Sequence, residues 1–446
     1  MQLYLRVMKS RKVVSPRFGA PADTADVSAV GLASLTAEYE TRTGASRTLH
    51  ERLTRSLAGG ETRAVTFYEP YPVAVVEASG ARFTDADGNE YLDLNNNMAS
   101  LIHGHAYPPV MKALREAGSV LGTVQAGAHA PLLELAELLV ARFPGFERVR
   151  FTNSGSEAAI LALRIARRAT GRRQVVLFEG GYHGMGSEFA EPDPAIFRVP
   201  FNNLDAAEKV LDDSVAAVVA ESFLGHAGVI PAQQGFHEEL RVLSHRVGAI
   251  FVLDEVQSMR NAVDGYHGAA GLRPDLILMG KSLAGGLPAG LVGGRRDLLA
   301  LASVETPNGL RHSGTFNGNI FSCVAGLRSM SDLDAAQITQ LNDRAARLAA
   351  SLEASGRQLE LPVTVTRSGS TMCLHFTETA PTDAESVVAA APLGRWVHLA
   401  ALLEGVAIIR DGRMNLSTAV SDGDLEHAAS ALTRALGRVR DMVRLA

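Results

Sequence analysis

Short, continuous apolar runs that stop at glycine or a charged residue recur through the middle of the chain: VRFTNSG, QVVLFEGG, VAAVVAES, AIFVLDEV, LILMGK and AGLVGG. Helical stretches such as EAAILALRIARRATG and QGFHEELRVLSHRVG lie between some of them. A strand with no polar face must be covered on both sides, so strands of this kind alternating with helices imply a mainly parallel sheet with helices on both faces. The expected fold class is α/β. Before this region, residues 28–58 read as an amphipathic helical arm ending at Gly59-Gly60, and residues 72–94 as a meander of strands turning at Asp87-Gly88-Asn89. After about residue 330 come a long helix, a strand group near 362–377 and two more helices. The expected division is residues 1–95 (N-terminal arm and part of a small domain), 96–330 (large domain) and 331–446 (the rest of the small domain).

Composition removes several classes of function. The 446 residues are 46% hydrophobic and 20% charged, as in an ordinary globular protein. A net charge of −5 offers no broad basic field for nucleic acid. The basic face of the last helix reads as solvated surface. No run approaches the roughly 18 apolar residues of a membrane span. The basic start, MQLYLRVMKSRKVVSPRFG, has no apolar core of a secretory signal, so it reads as an N-terminal arm of a cytoplasmic protein. Cys323 and Cys373 lie far apart without metal-ligand spacing, and are expected to be two buried thiols.

The polar residues gather where the strands end, which is where ligands bind in a doubly wound sheet. LILM, an apolar run, delivers Lys281 at its end, followed by the glycine-rich SLAGGLPAG. A buried ammonium is costly unless it is paired or deprotonated, and a deprotonated lysine is a nucleophile. Asp254 and Glu255 end FVLDEV, where a carboxylate needs a cationic partner. Ser154 and Glu157 in NSGSEA have capping-box spacing, so a helix starts there, with Gly155 permitting close approach of an anion. GGYHG supplies Tyr182, a flat face for an aromatic ring. Singly, each has a plain structural reading as a cap, a turn or a packed ring. Jointly they describe one chemistry: an aldehyde cofactor, pyridoxal 5′-phosphate, on Lys281, with Asp254 at its ring nitrogen and a helix N-terminus at its phosphate.

FTNSGSEA, GGYHG, LDEVQS, GKSLAGGLPAG and HSGTFNGN also resemble, in order and spacing, the motif set of class III pyridoxal-phosphate aminotransferases, from about residue 50 to the C-terminus. AGGETRAVTFYEPYPV, DADGNEYLDL and HGHAYPPV are similar to the branch of glutamate-1-semialdehyde aminomutase and the β-amino-acid (β-phenylalanine) aminotransferases; HSGTFNGN and PFNNLDAA lean towards the latter. The resemblance implies the type I fold of these enzymes. It implies Lys281 as Schiff-base lysine and Asp254 as ring-nitrogen partner. Ser154, Gly155 and Ser156 would serve the phosphate, Tyr182, His183 and Val256 the ring, and Glu221 its phenolic oxygen. Thr315 would complete the phosphate site of a neighbouring subunit in a homodimer. Arg63 would hold a substrate carboxylate, with Arg410 and Arg413 in IIRDGRMNLS as a second contact. This sequence departs from the family at ESFLGHAG, where His226 is either a titrating group near the ring oxygen or a polar filler, and at DEVQSMRNA. The implied activity is amino transfer between a carboxylate-bearing donor and a keto acceptor. An aminomutase, or a decarboxylase or racemase on the same fold, would use the same residues. A binding or regulatory module without catalysis would have lost the lysine or the aspartate, and both are present.

Overall fold

The computed structural model describes residues 29–124, 127–190, 192–388 and 393–444. The basic N-terminal start lies outside the described residues. The helical arm is two helices, α1 (Ala29–Arg42) and α2 (Gly44–Leu53), not one continuous stretch to Gly59. The break at Thr43 has a local cause. Asp87, in the hairpin turn, accepts hydrogen bonds from the amides of Ala45 (2.6 Å) and Ser46 (3.0 Å), so the start of α2 is capped from a distant loop. The expected meander follows as antiparallel strands β1 (Val75–Ser79), β2 (Arg82–Asp85) and β3 (Glu90–Asp93), with Gly88 at φ 84° in the turn.

The central sheet among the described residues contains β4 (Arg148–Thr152), β5 (Gln174–Phe178), β6 (Ile196–Val199), β7 (Val215–Glu221), β8 (Ile250–Asp254), β9 (Leu276–Met279) and β10 (Gly290–Gly294). Their spatial order is β4-β10-β9-β8-β7-β5-β6. Neighbours from β9 to β6 run parallel, and β10 alone runs against both of its neighbours. Every residue of β7, β8 and β9 is buried, as their unbroken apolar sequences require. The edge strand β6 carries Arg198 and is only half-buried over most of its length, so its sequence has no continuous apolar run to announce it. Helix α3 (Gly155–Thr170) packs on the sheet through Leu161, Ile165 and their neighbours and stops at Gly171 in the left-handed region, φ 70°.

The C-terminal part adds α4 (Ala335–Leu359), the hairpin β11 (Thr364–Ser368) and β12 (Thr371–His375), α5 (Gly394–Leu403), β13 (Val406–Ala407), β14 (Arg413–Asn415) and α6 (Asp422–Arg444). β13 joins β3 in parallel, so one small sheet is completed by segments from both ends of the chain. β14 pairs antiparallel with β12 as the third strand of a separate small sheet. Cys323 and Cys373 are free and buried. No helix of the described residues is long and apolar enough to cross a membrane.

Candidate active site

Adjacent parallel strands place their last residues side by side. The register pairs Asp254 with Glu221 across β8 and β7, and with Leu278 across β8 and β9. Lys281 follows β9 by two residues, at φ 46°, a left-handed conformation that costs a non-glycine residue of order 1–3 kcal/mol and persists where surrounding structure imposes it. It lines a small cavity together with Met98, His226, Gln257, Thr371, Ile409, Arg413 and Asn415. Burial pulls the lysine down to about 8, against the partial opposition of Glu221 and Asp254.

Each carboxylate has defined partners. Asp254 Oδ2 lies 2.8 Å from His183 Nδ1, and Oδ1 accepts from the Val256 amide at 2.9 Å. His183 thus stands behind the aspartate, buried, with no partner on Nε2. Glu221 accepts from the amides of Tyr182 (2.9 Å) and Gly225 (3.2 Å) and from Gln257 Nε2 (3.4 Å). Burial, with Asp254 as an adjacent like charge, pushes Glu221 up to about 7, although His183 and the two amides oppose the rise.

At the start of α3, Ser154 Oγ accepts from the Glu157 amide at 3.2 Å, the expected cap. The reciprocal half of the box is absent: the Glu157 carboxylate takes the Asn153 amide instead, at 2.9 Å. The amides of Gly155 and Ser156 have no acceptor among the described residues, so the free end of the dipole is open to an anion. A side chain at Gly155 would bring Cβ to 2.9 Å from Val256 Cγ2. One at Gly184, φ 100°, would come within 2.6 Å of the Ser156 backbone. These are the close approaches of a cradle, and with the lysine and the backed aspartate they fit a phosphorylated aromatic aldehyde.

The remaining expected residues separate. Tyr182 carries His226 against its ring, centroids 4.0 Å apart and planes 29° apart. Of the three arginines only Arg413 reaches the lysine cavity. Its Nε is 2.9 and 3.0 Å from the two Asp411 oxygens, and Nη1 donates to the Gly225 carbonyl at 3.1 Å. Arg410 donates to the Phe67 carbonyl at 3.0 Å and ties down the N-terminal segment. Arg63 is exposed, outside the residues lining the cavity, and so is Thr315. Sequence reasoning did not single out Met98, Gln257, Thr371 or Asn415 as lining residues. Gln257 stood within LDEVQS, where its place three residues after the strand-end carboxylate Asp254 was a usable signal.

A large α/β sheet with these groups at its C-terminal edge is the type I fold of pyridoxal-phosphate enzymes, and solved structures agree: the β-phenylalanine aminotransferase of Variovorax paradoxus superposes with a TM-score of 0.86, at 32% identity, covering 92% of this chain and 97% of that one. The sequence matches the family Aminotransferase class-III over residues 65–189 and 192–436. It is 34% identical to the β-phenylalanine transaminase of Variovorax paradoxus over 88% of this chain and 93% of that protein. Identity to glutamate-1-semialdehyde 2,1-aminomutase 2 of Geobacillus kaustophilus (strain HTA426) is 33%, covering 89% and 98%. The chain belongs to the class III aminotransferases, and its cofactor is pyridoxal 5′-phosphate.

Proposed function

We propose that the protein transfers an amino group from a carboxylate-bearing donor, with β-amino acids the favoured class, to a keto acceptor, using Lys281 as the Schiff-base lysine. The observation that carries this is the lysine itself: largely enclosed, held at positive φ at a strand end, and lowered to about 8 beside Asp254 and Glu221. When bound, pyridoxal phosphate supplies an electron sink for the carbon that loses a proton. Asp254, steadied by His183 and the Val256 amide, keeps the ring nitrogen protonated. Gly155 and Ser156 hold the phosphate, and Lys281 Nζ, once free, moves the substrate proton.

Arg413 is the carboxylate anchor that the geometry favours. It stands in the lysine cavity, and after Asp411 and Gly225 are served, a second N–H remains on each terminal nitrogen. Arg63 is a further anchor if the exposed N-terminal segment meets the site of a second subunit. Thr315, equally exposed, would complete that subunit's phosphate site in a homodimer.

Borohydride reduction of the yellow holoenzyme should fix the cofactor to Lys281, located by peptide mapping. An adduct elsewhere overturns the assignment. The aminomutase reading rests on the equal similarity to the Geobacillus enzyme. Product analysis separates the two: a transaminase without keto acceptor stops after about one equivalent per site, whereas an aminomutase continues.

A further inference from the structure

Three arginines are buried among the described residues, and two of them have an acid: Arg344 pairs with Asp422 and Arg413 with Asp411. The third, Arg260, is 1% exposed and has no carboxylate against it among the described residues. Burial pulls its guanidinium down to about 9, and no neighbouring charge opposes the fall. A cation enclosed without a counter-ion is costly, and an apolar side chain of similar volume fills such a space at less cost. What an apolar side chain lacks is a rigid, planar fork of N–H donors. Arg260 directs that fork at three segments remote in sequence: Nε donates to Ser370 Oγ at 3.2 Å, Nη1 reaches the Ala99 carbonyl at 3.5 Å, and Nη2 donates to the Leu416 carbonyl. Each acceptor is the chain neighbour of a residue lining the lysine cavity: Ser370 of Thr371, Ala99 of Met98, and Leu416 of Asn415.

We propose that Arg260 is a positioning residue for the reaction: its guanidinium holds Met98, Thr371 and Asn415 together as the wall of the cavity that faces the amino donor. Arg260 stands in a short helical turn, Ser258–Asn261, that begins just after Gln257, a further lining residue, so one loop fixes both the strand end and the wall. The neighbouring Asn261 anchors the same hairpin, donating to Ser368 Oγ at 2.9 Å. Beyond the guanidinium the segments bond to one another: the Leu416 amide donates to the Ser370 carbonyl at 3.1 Å, and Thr371 Oγ1 donates to Asn415 Oδ1 at 3.0 Å. Asp254 is held separately, by His183 and the Val256 amide. Loosening the wall therefore affects the donor's place and leaves the cofactor's groups where they are.

The proposal rests on this cavity being the donor's site, and hydrogen exchange of the holoenzyme, read by mass spectrometry, tests the clamp without any substrate. In Arg260→Met, amides of residues 95–101, 368–372 and 413–418 should exchange about tenfold faster or more, and those of β7, β8 and β9 at the wild-type rate. Faster exchange throughout the chain, or no change in the three segments, overturns the proposal. Arg260→Lys keeps the charge, but one ammonium cannot span the three acceptors, so it should behave like Arg260→Met. Full restoration by lysine overturns the proposal. Ser370→Ala removes a single acceptor and carries the test if an Arg260 variant does not fold: exchange should quicken in residues 368–372, and an unchanged rate there overturns the proposal. In turnover, the KM for 3-aminobutanoate with pyruvate as acceptor should rise about tenfold or more in Arg260→Met, with the absorbance of bound pyridoxal phosphate unchanged. A wild-type KM beside altered exchange makes Arg260 a residue of the fold alone and overturns the proposal. Failure of wild type to turn over any amino donor counts against the amino-transfer reading instead, and the exchange result then decides for Arg260.

Discussion

As the proposed Schiff-base lysine, Lys281 needs a free amine, and two features of its surroundings supply one. Burial disfavours the ammonium, and Arg413 adds a like charge, while Glu221 and Asp254 partly restore it, for a result of about 8. A lysine whose value falls in the folded state is deprotonated over a range where an exposed lysine is still charged: near pH 7 roughly a tenth is amine, against well under a thousandth for an unperturbed side chain. The rate at which apoprotein takes up pyridoxal phosphate should therefore rise with pH to a plateau with a midpoint near 8, followed by absorbance. A midpoint above 10 would show that the pocket does not tune the lysine. At Arg413 the planar fork matters as well as the charge, so Arg413→Lys should raise KM for carboxylate donors at least tenfold and leave the bound cofactor's absorbance unchanged. An unchanged KM would assign carboxylate binding to Arg63. Lys281 and Asp254 stood out in the sequence because a buried strand that ends in a charged residue announces a sheet edge, whereas Glu221 was named only through the family resemblance. Met98, Thr371 and Asn415 were not, since they come from segments far apart in the chain that meet only after folding.

At the scale of elements, the loop after β3 is unusual. Asn96, Asn97, Met98 and Ala99 all have positive φ, at 49°, 49°, 58° and 69°, forming a left-handed turn that costs roughly 1–2 kcal/mol per non-glycine residue. Buried bonds hold it: Asn96 Nδ2 donates to the Asn415 carbonyl at 2.6 Å, Asp93 accepts from the amides of Asn95 and Asn96, and buried Arg260 reaches the Ala99 carbonyl. The outcome is that Met98 and Asn415 both face the lysine cavity. Asn96→Ala should lose about 1–3 kcal/mol in urea unfolding, with KM rising and cofactor affinity intact. A change below about 0.5 kcal/mol would mean that the turn is held without Asn96. Gly184→Ala tests the cradle, because a methyl there meets the Ser156 backbone, and cofactor affinity should fall at least tenfold. Wild-type affinity would show that Ser156 is not held against the phosphate. The turn's sequence signature was only partial: Asn96 and Asn97 tolerate left-handed backbone, but Met98 and Ala99 do not announce it. Strands that cross the centre of the sheet were readable from apolar runs; β6, half-wet at the edge, was not. The break at Thr43 escaped because its cap, Asp87, comes from another element.

The whole molecule places a second set of residues where the single chain gives them nothing to do. Val304 is 94% exposed, Val120 81%, Met185 70% and Phe316 60%. Phe316 is next in sequence to Thr315, the residue expected at a neighbour's phosphate. The proposed homodimer would bury Phe316 against a second copy and let that copy's Thr315 finish the phosphate cradle at the start of α3. Light scattering of wild type should then give a dimer. Phe316→Asp, which changes no contact within the core, should give a folded monomer with unchanged circular dichroism and a cofactor affinity lowered about tenfold or more, because the partner's Thr315 is gone. Thr315→Ala should keep the dimer yet show part of the same loss in affinity. The pair of variants separates assembly from phosphate binding. A wild-type monomer with full cofactor occupancy and full activity would refute the arrangement. A Phe316→Asp monomer that binds cofactor as tightly as wild type would leave the apolar face as an interface but remove Thr315 from the site.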